Sequence, residues 1–268
     1  MEFRVLGPVD AVDDHGHRRP VTAPMLRALL AALALRAGRP VPAEELADQL
    51  WGEQLPADVR TTLRTYVMRL RKVLPGDPIG TVPGGYVLSA EPEDTDLGRF
   101  RSLVLRAREV APAAHAEAAA LLGESLSLWR GIPLADLPDV PLRTVQQPRL
   151  EELHLSAAEE FYELGLALGR HERLVDELSS VARRHRLRER LTRLLMLALH
   201  RCGRTAEALT VYQEARAELV AELAIEPGAE TRALEQAILR DDPALALPAS
   251  AAGRVTAGGP SAPFPPGT

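Results

Sequence analysis

Cysteine and lysine each occur once in the 268 residues, and both shortages exclude particular kinds of site. With Cys202 alone, no disulfide can form within the chain, and a reducing compartment, the cytoplasm, is the expected location. The single lysine, Lys72, does not follow a glycine-rich loop. A Walker-type nucleotide site is therefore excluded.

Long apolar runs and catalytic patterns are also missing. The longest apolar stretch, residues 29–35, is far too short to span a membrane, and the first ten residues contain no signal-peptide core. The seven histidines have no metal-ligand spacing with cysteine or paired carboxylates, and no nucleophile elbow is present. The sequence predicts no membrane contact, no metal, no cofactor and no enzymatic activity.

Charge is unevenly distributed along the chain, although the net charge is −5. Residues 1–90 hold 11 cationic and 10 acidic residues, while the remaining 178 residues hold 21 and 27. Within residues 58–72 there are five cations and a single acidic residue, Asp58. Such a local basic stripe indicates a nucleic-acid contact better than the net charge does.

The spacing of apolar residues changes several times within the first 90 residues. Short apolar runs at 3–6 and 9–12, and a turn that leads into residues 17–21, predict a small antiparallel sheet. Leucines at 26, 29, 30 and 33 then predict a helix that ends near Gly38, and Pro42 is expected in the first turn of a second short helix. A third helix over 58–74 and a hairpin over 81–88 follow. Sheet, three helices and hairpin are the order of a winged helix-turn-helix.

The chain beyond residue 95 has the leucine and alanine spacing of helices. They are predicted at 96–111, 113–129, 146–168, 172–186, 188–201, 205–222 and 228–240. Gly169-Arg170 recurs 34 residues later as Gly203-Arg204, the period of tetratricopeptide-type helix pairs. Trp129 and Tyr212 are expected in the core. Residues 241–268, rich in proline, glycine and alanine, are predicted to be a disordered tail.

The third helix separates into two faces. Its apolar residues fall within an arc of about 120°; they are Val59, Leu63, Tyr66, Val67, Leu70, Val73 and Leu74. The opposite face holds threonines, Met68 and all the cations, and no acidic residue after Asp58. Arginine can bind guanine edges or phosphates in the major groove, so this face is the expected reading surface. The alternative is an ordinary solvated face.

The predicted hairpin also has two interpretations. Gly84 and Gly85 would allow the turn to approach the DNA backbone closely, and Tyr86 could donate a hydrogen bond to a phosphate. Alternatively, the hairpin is only a structural turn whose Tyr86 packs on the core.

Five co-linear segments resemble the Streptomyces antibiotic regulatory protein family. Three fall in the first 90 residues: LRALLAALALRAGRPVPAEELADQLWG (26–52), PADVRTTLRTYVMRLRKVL (56–74) and VPGGYVL (82–88). Two more, LLGESLSLWRGIPLADL (121–137) and AEALTVYQEARAELVAELAIEPGAETRALEQAIL (206–239), resemble signatures of the family's activation domain. The resemblance covers about residues 1–240.

The resemblance implies a mainly α protein with two domains. An OmpR-type winged helix-turn-helix would span residues 1–92, and an all-α tetratricopeptide-like activation domain residues 95–240. Such proteins bind direct repeats in double-stranded DNA as dimers, recruit RNA polymerase with its σ factor, and activate antibiotic gene clusters. Matching positions imply contacts to bases or phosphates from Arg60, Thr61, Thr62, Arg64, Thr65, Arg69, Arg71 and Lys72.

Two departures from the family pattern and one competing function remain open. The wing has Val82 where many relatives carry a polar or basic residue, and the chain begins at the winged helix, so direct phosphorelay control is not expected. The competing function is a helical-repeat adaptor whose winged helix docks protein rather than DNA. Steep salt dependence of DNA affinity would favour the activator.

Overall fold

The computed structural model describes residues 1–247, which contain five strands and ten α-helices. These residues divide into two compact units. The N-terminal unit contains residues 1–106 and 124–155, and the C-terminal unit contains residues 107–123 and 156–247. Each unit is described by itself below.

The N-terminal unit begins with a two-stranded antiparallel sheet. Strands β1 (Glu2–Arg4) and β2 (Asp10–Val12) pair with Phe3 opposite Ala11. The third strand predicted at 17–21 is wrong, because that segment makes only an isolated bridge from Arg18 to Val12. Pro20 follows closely, and proline has no N–H to continue a ladder.

Helices α1 (Pro24–Ala34) and α2 (Ala43–Trp51) bury the leucines that the periodicity selected. The helix α1 ends at Ala34, four residues before Gly38. Pro42 does not lie in the first turn of α2, as expected, but precedes it. It belongs to a short strand, β3 (Val41–Pro42), which pairs antiparallel with the strand that contains Tyr86. A two-residue strand leaves too little pattern to be recognised in the sequence.

Helix α3 (Val59–Val73) and a hairpin of β4 (Ile79–Val82) and β5 (Gly85–Leu88) complete the winged helix-turn-helix. The order β3-β5-β4 makes a three-stranded antiparallel sheet. Fully buried leucines of α1, α2 and α3 form the core of this part; they include Leu29, Leu30, Leu33, Leu46, Leu50, Leu63 and Leu70.

The N-terminal unit extends past the winged helix. Helix α4 (Asp96–Val110) begins with Asp96, whose carboxylate accepts the backbone N–H groups of Val5 and Leu6 at 2.8–2.9 Å. The Phe100 ring lies edge-on to Trp129 at a centroid distance of 5.3 Å. Trp129 is 4% exposed, which confirms its predicted place in the core.

Helices α5 (His115–Ser127) and α6 (Pro141–Ala167), like α4, have residues in both units. The helix α6 begins five residues before its predicted start and continues through Pro148. Interior proline removes a backbone donor and usually marks a helix boundary, which explains the late predicted start.

In the C-terminal unit, α7 (His171–Arg184), α8 (Glu189–Arg201), α9 (Thr205–Leu223) and α10 (Ala229–Leu239) follow one another. The repeated glycines Gly169 and Gly203 adopt φ of +77° and +76°, just after α6 and α8. Glycine is the residue that most readily adopts this left-handed conformation at a helix end. The 34-residue spacing therefore marks equivalent helix ends, and Tyr212 of α9 is 5% exposed, in the core as predicted.

The predicted disordered tail begins too early. Residues Pro243–Leu245 form a 3-10 turn capped by Asp242, and the Leu245 carbonyl accepts a hydrogen bond from Arg201 Nε at 2.8 Å. The rest of the predicted tail, residues 248–268, lies outside the described residues. Along residues 1–247 the structure contains no helix both long enough and apolar enough to cross a bilayer.

Candidate nucleic-acid interface

The outer face of α3 is held in place by its buried face. Leu63, Val67 and Leu70 are at most 2% exposed, and the ring of Tyr66 packs 5.9 Å from the ring of Trp51 on α2. These contacts fix the rotation of α3 about its axis. The predicted apolar side therefore faces the core.

Asp58 caps the N-terminus of α3. Its Oδ1 accepts the backbone N–H of Thr61 at 3.0 Å, and its Oδ2 accepts the Thr61 hydroxyl at 2.6 Å. These two hydrogen bonds from Thr61 lower the pKa of the Asp58 carboxyl. The acidic residue that precedes the basic face thus has a local structural role as an N-cap.

The opposite face of α3 is accessible over its whole length. Most of the predicted contact residues on it are exposed, namely Arg60, Thr61, Arg64, Arg69 and Lys72, together with Met68. Thr62 and Thr65 are partly exposed, and their hydroxyls donate to the carbonyls of Asp58 and Thr61. The structure therefore brings four exposed cations and three threonines together on one helix face.

Arg71 is the cation of α3 that is used within the fold. Its Nε lies 3.0 Å from the Ile79 carbonyl oxygen and 3.0 Å from Asp77 Oδ1, and its Nη2 lies 3.1 Å from the Thr81 hydroxyl. These contacts join the end of α3 to β4, the first strand of the wing. The sequence analysis grouped Arg71 with the other cations because a helical wheel contains no information about contacts with the wing.

The three predicted wing residues lie in different environments. Gly84 is exposed at the tip with φ of +77°, a conformation that favours glycine. Gly85 is buried in β5 beside β3. A Cβ at this position would lie 2.2 Å from the Val41 carbonyl oxygen of β3, so the pairing of the two strands requires glycine here. Tyr86 is 8% exposed. Its burial favours the alternative in which it packs on the core.

A groove of about 840 Å³ lies between α2, the start of α3 and the wing. Its α3 wall carries Arg60 and Arg64, and its α2 wall carries Glu44 and Asp48. A phosphate in this groove would meet two carboxylates. Because like charges repel, the favourable path for a polyanion runs along the outer face of α3 rather than into the groove.

The groups exposed on this surface are suited to binding. No group of three or more histidine, cysteine, aspartate or glutamate side chains in residues 1–247 could hold a metal ion. What the surface offers is guanidinium, ammonium and hydroxyl groups on a rigid helix, which suit phosphates and base edges.

Two family models match the chain in consecutive segments. Residues 20–88 match the model described as "Transcriptional regulatory protein, C terminal", and residues 95–239 match "Bacterial transcriptional activator domain". The structure is also similar to that of Mycobacterium tuberculosis EmbR in complex with a low affinity phosphopeptide. The TM-score is 0.86 at 33% identity, over 94% of this chain and 69% of that chain.

Curated relatives give the same result. The regulatory protein AfsR of Streptomyces griseus is 42% identical over 93% of this chain, which spans about a quarter of AfsR, 26%. The regulatory protein DnrI of Streptomyces peucetius is 37% identical over 91% of this chain and 94% of DnrI.

The fold, the cationic helix face and these matches define a class, the bacterial transcriptional regulators that join a winged helix-turn-helix to an activator domain. Within this class, the chain belongs to the Streptomyces antibiotic regulatory protein family. The family consists of transcriptional regulators and not of enzymes, and membership implies DNA binding.

Proposed function

We propose that the chain activates transcription by laying the outer face of α3 in the major groove of promoter DNA. Arg60, Arg64, Arg69 and Lys72 would contact bases and phosphates, with Thr61, Thr62 and Thr65 between them. The observation that carries the proposal is the exposure of these four cations on a helix whose other face is locked into the core.

In this proposal the remaining predicted residues support the interface. Arg71 positions the wing through Ile79 and Thr81, and Gly85 and Tyr86 shape the wing from within. Only Gly84, at the exposed tip, is free to approach the DNA backbone.

The partners follow from the family and are part of the proposal. The regulator would act in the cytoplasm as a dimer on direct repeats, and would recruit RNA polymerase and its σ factor to an antibiotic gene cluster. Functionally, residues 1–92 would bind DNA and residues 95–240 would contact the polymerase. The acidic excess beyond residue 90 suits contact with basic protein surfaces.

The adaptor alternative predicts a different use of the same surface. A winged helix that binds protein would not require a face that carries cations and no carboxylates. On α3 no acidic residue follows Asp58, and Asp58 itself is used as the N-cap. This asymmetry favours DNA.

The experiment selects the preferred duplex from a randomised pool with the whole chain, then measures affinity against salt concentration. Counterion release should give a slope of log affinity on log salt of about −0.9 for each phosphate contacted. We expect Arg64→Ala with Arg69→Ala to weaken binding of the selected duplex by at least about tenfold, since each good base pair contact is worth about 1–3 kcal/mol.

The matched control removes the same charge elsewhere in the N-terminal unit. Arg106 and Arg149 are also exposed, on α4 and α6, and their double alanine variant should bind the duplex as the unmodified chain does. Equal weakening by both pairs, or affinity that does not change with salt, would favour the adaptor.

A further inference from the structure

A second groove, of about 400 Å³, lies within the C-terminal unit between α6, α8 and α10. Helix α8 supplies one wall with five side chains at helical spacing, namely Arg190, Arg193, Leu194, Leu197 and Arg201. Between the first and the last of them, α8 rises by about 16 Å. The volume of the groove is in the range of sites that bind small molecules.

Apolar side chains line the groove between the arginines at its two ends. Leu194 and Leu197 of α8 share it with Leu166 and Ala167 of α6 and with Leu234 of α10. Leu166 and Leu194 are buried, whereas Leu197, Ala167 and Leu234 are partly exposed. An apolar ligand in the groove would remove these last three side chains from solvent, which the hydrophobic effect favours.

Arg190 and Arg193, at one end, have carboxylate partners at the rim. Arg190 lies 2.5 Å from Glu163, and Arg193 lies 2.7 Å from Glu230. In both pairs the glutamate side chain is the more exposed partner, 61% for Glu163 and 78% for Glu230. The two positive charges at this end are therefore satisfied within the fold.

Arg201, at the other end, has no such partner. Its Nε donates to the Leu245 carbonyl and its Nη1 to the Leu166 carbonyl, both at 2.8 Å. Within residues 1–247 it forms no ion pair, and its Nη2 makes no hydrogen bond. Burial lowers the pKa of its guanidinium, because the charged form is partly desolvated. A carboxylate would compensate this charge more completely than two carbonyls do.

We propose that the groove binds a small molecule that has one carboxylate and an apolar body. The carboxylate would accept a hydrogen bond from Arg201 Nη2, and the apolar body would lie against Leu197 and Leu234. The ligand would join α6, α8 and α10, so its binding would stabilise the C-terminal unit. This inference goes beyond the proposed function, because the site requires no contact with DNA.

Two features favour a small acid over an acidic peptide. The protein's own chain lies at the Arg201 end, where the Leu245 carbonyl accepts from Arg201, and this limits the length of a ligand in that direction. A second carboxylate at the other end would approach Glu163 and Glu230, and like charges repel. One carboxylate and an apolar remainder are what the groove accommodates.

A structural role explains part of the arrangement. The two carbonyl contacts of Arg201 join α8 to α6 and to the 3-10 turn at Pro243–Leu245. They use Nε and Nη1, and they account neither for the position of Nη2 nor for the apolar groove beside it. Replacing Arg201 would disturb these contacts as well as the site, so the test changes a different residue.

The test measures binding of octanoate and of naphthoate, one flexible acid and one flat acid, to the whole chain by titration calorimetry. The matched probes are octanamide and naphthamide, which have the same apolar bodies and no charge. We expect at least one acid to bind about tenfold or more tightly than its amide, because charge-assisted hydrogen bonds are roughly twice as strong as neutral ones. Acetate, which lacks an apolar body, should not bind measurably.

Leu197→Glu should abolish this binding without unfolding the chain. Residue 197 is partly exposed and precedes Arg201 by four residues on α8, so the new carboxylate would pair with Arg201 inside the groove. Leu197→Gln, which has nearly the same shape and no charge, should weaken binding less. Leu239→Glu is the control outside the groove, since Leu239 is 61% exposed on α10 and should not affect binding.

His171 provides a second measurement. Burial first, and then the charge of Arg201, lower the pKa of its ring. A carboxylate bound at Arg201 would offset that charge, so the NMR titration midpoint of His171 should rise with the bound acid and stay unchanged with the amide.

Three results would overturn the inference. The first is that neither acid binds more tightly than its amide. The second is that the unmodified chain and Leu197→Glu bind the acids equally, which would place them at another site. The third is that a peptide of alternating aspartate and leucine binds more tightly than either acid, which would indicate a protein ligand. DNA binding, measured separately with the selected duplex, is not affected by any of these results.

Discussion

Asp13 shows how a single buried carboxylate organises a turn. Its Oδ1 accepts the backbone N–H groups of His15 and His17, and its Oδ2 forms a hydrogen bond of 2.6 Å with Arg19 Nη2. The N–H of His17 first, then Arg19 and the N–H of His15, lower the pKa of the Asp13 carboxyl to about 2 from an ordinary value of 3.8. The fold thus favours the carboxylate.

The pH dependence of this turn follows from the sign of that shift. Because the pKa is lower in the folded state, the stabilisation is complete above pH 3.8 and is lost as the pH falls through about 2. We expect the Asp13 carboxyl carbon to titrate in NMR with a midpoint near 2, and Arg19→Ala to raise it. Arg18→Ala, which removes the partner of Asp10, is the control and should not. A midpoint near 3.8 in the unmodified chain would contradict the hydrogen-bond pattern.

At the scale of elements, sequence periodicity predicted helices well and short strands poorly. The helix α3 differs from its predicted bounds by one residue at each end, because its buried arc repeats over four turns and its cap, Asp58, is a typical N-cap residue. The strand β3 has only two residues and pairs with Tyr86, which is 45 residues away in the sequence. A strand this short produces no recognisable alternation of apolar and polar residues. The same limit applied to the candidate interface. The helical wheel grouped Arg71 with the cations that we propose to contact DNA, and only the fold reveals its contact with the Ile79 carbonyl.

The wing should therefore depend on Arg71 but not on its neighbour Arg69. Arg71→Ala removes the guanidinium from the Ile79 carbonyl and the Thr81 hydroxyl, and we expect faster amide exchange across residues 79–88. The cost should lie near the lower end of about 1.5–3 kcal/mol, the range for a hydrogen bond to a charged group, because Arg71 is partly exposed. Arg69→Ala should leave exchange unchanged while weakening DNA binding. Similar exchange in both variants would show that Arg71 does not position the wing.

At the scale of the whole molecule, the predicted boundary at residue 92 divides a set of contacts that the structure holds together. Asp96 lies four residues beyond it and accepts the N–H groups of Val5, Leu6 and Leu97, with Arg130 Nη2 at 3.2 Å. Asp96 is 1% exposed. The sequence indicated where the winged-helix pattern ends. It could not show that the Asp96 carboxylate accepts hydrogen bonds from residues some 90 positions earlier, because such a contact produces no periodic pattern.

We therefore expect Asp96→Asn to loosen the N-terminal sheet of the whole chain. The amide group would turn an N–H donor toward backbone donors or leave one of them unpaired, at a cost of about 1–3 kcal/mol. Amide exchange at Val5 and Leu6 should then accelerate by about tenfold or more, and a fragment of residues 1–92, which lacks Asp96 and Phe100, should lose protection there altogether. Asp94→Asn is the matched control, since Asp94 is partly exposed and bonds only the nearby Glu91 N–H. If the fragment protected Val5 and Leu6 as well as the whole chain does, the winged helix would be complete by residue 92, and the contacts of Asp96 would contribute little to its stability.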